Sequence, residues 1–191
     1  MPSDTFYNLK DDKKNRIISS LRKTFASKTI FEASVKEIVT DLNISRGSFY
    51  QYFDDIEDAY FMILDMETVD IHHLFLYILR NNDFALIESL EIYAKELSEI
   101  LFEKENYNIY KNRFLHWNWH LEKNWQKYKK ENSKIIDFND ERFDNDEVTH
   151  FIKSVVHDLI ERNYVNGWSR EEFIEKFGNY IAWIKGGVKW D

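Results

Sequence analysis

The residues able to do chemistry in this sequence are of two kinds, donors suited to recognition and imidazoles suited to metal. The first kind clusters in Arg46-Gly-Ser-Phe-Tyr-Gln-Tyr52, where Arg46, Ser48, Tyr50, Gln51 and Tyr52 offer donors for base edges and phosphates. Gly47 would let a backbone approach closely. The second kind is spread over six histidines. His116 and His120 have the i, i+4 spacing that shares a helix face and can hold one zinc, but no third ligand accompanies them, so a surface or packing role is expected. His73 and His150 are read as boundary residues. His72 and His157 each lie among large apolar side chains, and two imidazoles from separate helices can take opposite axial positions on a haem iron. Phe61, Leu64, Phe114, Trp117 and Trp125 are candidates to cover such a porphyrin.

Bond-making chemistry has little support. No GxSxG elbow, HExxH pair, glycine-rich phosphate loop or cysteine nucleophile occurs. The run Asp137 to Val148 has calcium-friendly oxygens but lacks the EF-hand glycine and ends in valine, so it reads as a solvated loop. With no cysteine, disulfides, thiolate zinc and iron-sulfur clusters are excluded, and a reducing cytoplasm fits. The chain is therefore not expected to be an enzyme.

The elements that position these residues are helical. One proline and five glycines in 191 residues leave few interior helix breakers, which predicts an all-α fold. Ile17, Ile18, Leu21 and Phe25 mark a first helix over 11–27. Ser34 and Glu37 form a capping-box pattern for a second over 35–42, Asn43 suits a tight left-handed turn, and Ser45 can cap a third through Phe53. Asp54 and Asp55 can cap a long connecting helix from Ile56 toward Leu79, ended by Asn81-Asn82-Asp83. Further helices are expected over 84–104, 107–130, 147–165 and 169–187, with an acidic loop from Glu131 to Asp146. No apolar run approaches the roughly 20 residues that span a bilayer, so a soluble protein with no membrane partner is expected.

Short helix, turn, short helix is the geometry that lays a second helix into a major groove. Charge agrees with this use. Residues 1–53 carry nine Lys and Arg against six Asp and Glu, a net +3, which leaves −11 for the remainder of a chain at −8. A basic head gains from phosphates while an acidic body is repelled by them.

The run Ala33-Ser-Val-Lys-Glu-Ile-Val-Thr-Asp-Leu-Asn-Ile-Ser-Arg-Gly-Ser-Phe-Tyr-Gln-Tyr-Phe53, with its Ser-x-Gly-x-x-Tyr-x-Tyr-Phe core, closely resembles the DNA-binding signature of the TetR family. The resemblance implies a three-helix helix-turn-helix domain over 1–55 and a helical ligand-binding and dimerisation domain over 56–191. It implies a homodimeric repressor of double-stranded operator DNA, released by a small hydrophobic effector. Ser34 and Lys36 would lie near phosphate, Arg46, Gly47, Ser48 and Gln51 near bases, and Tyr50 and Tyr52 on the DNA backbone. Leu42-Asn43 stands where Ala-Gly is common, and Ile56 where a phosphate-contacting lysine is frequent. The last two helices, with stripes through Phe151 to Ile160 and Phe173 to Ile184, would form a four-helix dimer interface.

More narrowly, Arg46 to Phe53, Ile71-His-His-Leu-Phe75, Tyr107 to Leu115 and Lys153-Ser-Val-Val-His157 resemble haem-sensing TetR-type repressors of haem efflux operons. That resemblance makes haem a possible effector with His72 and His157 as its axial ligands. The competing readings are a TetR-type repressor of another lipophilic ligand, and a helical haem-binding enzyme or interaction protein.

Overall fold

The computed structural model describes residues 2–68, 71–132 and 147–187; the acidic stretch from Lys134 to Asp146, including most of the calcium-like run, lies outside them. All regular structure among the described residues is helical: α1 (Asp4–Tyr7), α2 (Asp11–Ser27), α3 (Val35–Leu42), α4 (Arg46–Tyr52), α5 (Ile56–Glu67), α6 (Ile71–Asn81), α7 (Leu86–Leu101), α8 (Tyr107–His116), α9 (Trp119–Asn132), α10 (Glu147–Asn166) and α11 (Arg170–Gly186). No described helix is long and apolar enough to cross a membrane.

Local caps decide most boundaries. Side-chain oxygens of Ser34, Ser45, Asp55 and Ser169 each accept an amide three residues on, opening α3, α4, α5 and α11. Such caps satisfy donors that a helix start leaves orphaned. At Ser169 the box is reciprocal, with the Glu172 carboxylate returning to the Ser169 amide at 2.8 Å. Asn43 ends α3 in the left-handed conformation, φ 52°, which asparagine tolerates better than most residues.

Two expected helices are broken. The continuous connecting helix from Ile56 to Leu79 stops at Glu67, because Thr68 takes extended backbone while its hydroxyl returns to the Leu64 carbonyl and accepts from Arg113 at 2.9 Å. The expected helix over 107–130 is two, since Trp117 is extended and Asn118 Oδ1 accepts the Leu121 amide at 3.0 Å, starting α9 afresh. A helix not foreseen, α1, is capped by Ser3 and buries Phe6.

The chain forms two compact units, one from α1 to α5 with α8 and α9, the other from α6, α7, α10 and α11. The first unit therefore extends well past residue 55, drawing two later helices onto the helix-turn-helix. Its core joins Ile17, Leu21, Phe25, Ile38, Phe49 and Phe53 to Phe61, Leu64, Leu121 and Trp125. Arg113 sits 5.2 Å from the Trp117 ring and 5.6 Å from that of Trp125, and Trp125 stacks on Tyr128.

In the second unit α7 packs against α6 and α11. Ile152, Val156, Leu159, Ile160, Phe173, Phe177 and Ile181 are buried inside the subunit, so much of the stripe expected at a dimer interface closes this core instead. Val148, Phe151, Val165 and Trp183 remain exposed.

Candidate nucleic-acid interface

The outward side of α4 follows from helical phase. Phe49 and Tyr52, with Phe53 behind them, turn inward, which leaves Arg46, Gly47, Tyr50 and Gln51 exposed and Ser48 half-buried. Burying two phenylalanines is worth roughly 1.5–3 kcal/mol each, enough to fix that phase. Ser45 caps the helix through the Ser48 amide at 3.0 Å, and its Oγ lies 2.9 Å from that of Ser48.

Gly47 has nothing in its own subunit to explain it. A Cβ there would meet only Ser45 Oγ at 3.7 Å, an ordinary contact. On its outward side the missing side chain leaves the helix backbone open to close approach.

The Arg46 side chain is held by its neighbour one turn on. Nη2 donates to Tyr50 Oη at 3.2 Å, and the guanidinium carbon is 5.6 Å from the Tyr50 ring centroid.

An open groove of about 650 Å³ is lined by residues of α2 and α3 that include Lys23, Thr24, Ser27, Lys28, Ser34 and Lys36. Lys36 is exposed and Ser34 half-buried. Lys28 pairs with Glu37, and its hydrogen bond holds that carboxyl below its ordinary range. Asp41 is lowered too, first by the Ser20 hydroxyl at 2.6 Å and then by Lys23 at 3.6 Å.

Tyr52 departs from the expected role on a DNA backbone. It is 3% exposed, with its ring 6.4 Å from Phe6 and Lys13 Nζ 5.4 Å from its centroid. The cause is α1, whose cap residue Ser3 donates its amide to the Tyr52 carbonyl at 2.9 Å and its hydroxyl to the Gln51 carbonyl. The sequence signal for this was present but small: a serine three residues before an aromatic in an otherwise polar start. Ile56 is half-buried and adds no donor.

His116 and His120 do not share a helix. His116 ends α8 and His120 lies in the first turn of α9, so the extended Trp117 between them removes the shared helix face; His120 Nε2 instead lies 3.4 Å from Glu57 and 3.1 Å from Asn124. Among the described residues no group of three acidic or histidine side chains is placed to hold a metal ion. His72 is on α6, with its side chain outside the described set, and His157 is on α10. His157 is exposed, on the flank of α10 away from buried Ile152, Val156, Leu159 and Ile160. Phe61, Leu64 and Trp125 are occupied in the core of the first unit.

No curated protein sequence matches this chain. Among solved structures it is similar to NalD of Pseudomonas aeruginosa, titled the secondary repressor of the MexAB-OprM multidrug efflux pump, with a TM-score of 0.62 and 14% identity over 90% of this chain and 95% of that one. It is also similar to a TetR family transcriptional regulator from Chloroflexus aurantiacus, with a TM-score of 0.51 and 18% identity over 97% of this chain and 91% of that one. At such identities the likeness is one of fold. Residues 86–187, more than half of the chain, match the family described as Tetracyclin repressor, C-terminal domain. With a helix-turn-helix signature ahead of that segment, the chain belongs to the TetR family of transcriptional regulators and is not an enzyme.

Proposed function

We propose that the protein is a homodimeric repressor that binds operator DNA through the outward side of α4 and is released by a small-molecule effector. The observation that carries the reading is Gly47, a helix glycine that its own subunit does not require, set among exposed Arg46, Tyr50 and Gln51. Lys36 and Ser34 flank that side as phosphate contacts, while buried Tyr52 holds the helix in place rather than meeting DNA. The exposed Val148, Phe151, Val165 and Trp183 supply a surface for a second copy, and two-fold symmetry would present two heads to successive grooves. The test is retardation of the DNA flanking the protein's own gene. Binding should weaken as salt rises and weaken further in Arg46→Ala; salt-insensitive binding, or none, ends the reading.

The finer reading is haem as effector, held by His72 and His157, with control of an efflux system. The sequence resemblance supports it, and NalD, which shares the fold, is a repressor of a multidrug efflux pump. Exposed His157 opposes it unless a second subunit covers that flank. Haem titration should give a Soret band that shifts in His72→Ala and in His157→Ala. Wild-type spectra in both variants leave another lipophilic ligand as the effector.

A further inference from the structure

Resting on the DNA-binding reading, we infer that each operator half-site contains a guanine read by Arg46, and that Tyr50 is a positioning residue acting through Arg46 rather than a phosphate contact. Arg46 is the first residue of α4, and the N-terminal residues of a helix lying in a major groove are those that reach base edges. An unrestrained arginine there samples many rotamers and loses that freedom on binding. Here the guanidinium carbon lies over the Tyr50 ring, 5.6 Å from its centroid, and Nη2 donates to the Tyr50 hydroxyl at 3.2 Å. That leaves the rest of the planar fork for a ligand, and the base edge matching two parallel N–H donors is guanine O6 and N7. Glu37 and Asp41, the acidic groups of neighbouring α3, are engaged by Lys28 and by Ser20 with Lys23, so neither is paired with Arg46.

A tyrosine at 46% exposure on a recognition helix has a simpler use, donating its hydroxyl to a phosphate. The two uses separate experimentally. Duplexes are selected from a randomised pool by the full-length protein, and each guanine of the enriched half-site is replaced in turn by 7-deazaguanine, which removes N7 and keeps Watson–Crick pairing.

One position should lose about tenfold in affinity for the wild type, the scale of a bidentate base contact. That loss should vanish in Arg46→Ala, which removes the donors, and shrink in Arg46→Lys, which keeps the charge without the fork, and in Tyr50→Phe and Tyr50→Leu. If no guanine shows an Arg46-dependent loss, or if the Tyr50 variants weaken every duplex equally with the discrimination intact, the inference fails while the regulator reading stands. If no duplex is enriched at all, the regulator reading fails first.

Discussion

The side-chain amide of Asn112 in α8 donates to the Phe25 carbonyl at 3.0 Å and to the Lys28 carbonyl at 3.3 Å, closing the C-terminal end of α2. Two carbonyls that a helix end leaves without partners are thus satisfied by a residue more than eighty positions later. Asn112→Ala should cost about 1–3 kcal/mol of stability, the range for unsatisfied buried acceptors. Urea unfolding measures it, and an unchanged midpoint would show that solvent replaces the amide.

Gly47→Ala separates folding from recognition. Alanine is better than glycine inside a helix by about 1 kcal/mol, and the added methyl has room. Thermal unfolding should therefore move upward while affinity for DNA falls. A variant that is more stable and binds equally well would mean that no duplex backbone approaches Gly47.

The Asp41 carboxyl gives a pH-dependent signature. Its pKa is lowered, so the stabilisation it provides is present above the ordinary carboxylate range and is lost as pH falls through the lowered value. The Ser20 hydrogen bond is the largest single cause, and Lys23 adds both its charge and a hydrogen bond. In a carboxyl NMR titration, Ser20→Ala and Lys23→Ala should each move Asp41 upward. An Asp41 unmoved in Ser20→Ala would show that the hydroxyl contributes nothing.

The exposed apolar edge of the second unit predicts association. Val148, Phe151 and Val165 lie on one side of α10, and Trp183 is exposed on α11. The Asp158, Arg162 and Tyr180 side chains join the two helices, with Arg162 donating to the Tyr180 hydroxyl at 2.6 Å. Phe151→Glu combined with Val165→Glu should convert a dimer to a monomer in sedimentation velocity. Each side chain is about half exposed or more, so the monomer should keep its helical content.

What could be read from the sequence was what is decided locally. The starts of α3, α4, α5 and α11 each depend on a capping side chain within three residues, and the inward set of Phe49 and Phe53 depends only on helical phase. What could not be read depends on distant partners. Thr68 breaks the connecting helix with its hydroxyl held by Arg113, and Tyr52 is turned inward by a short helix at the start of the chain. Asn118 is the exception, a local cap hidden inside an apolar pattern that continued on both sides. The i, i+4 spacing of His116 and His120 gives no shared face for the same reason, since that spacing has meaning only on an unbroken helix.

The way α8 and α9 complete the first unit also bears on how the protein is made. A ribosome releases Tyr60 and Phe61 long before Trp125 and Tyr128, the rings that lie beside Phe61, have been synthesised. During that interval the emerging segment carries uncovered aromatic surface, the kind of exposure that invites chaperone capture or clumping. A gene fragment cut after the helix-turn-helix would hold the nascent chain permanently at that sticky stage.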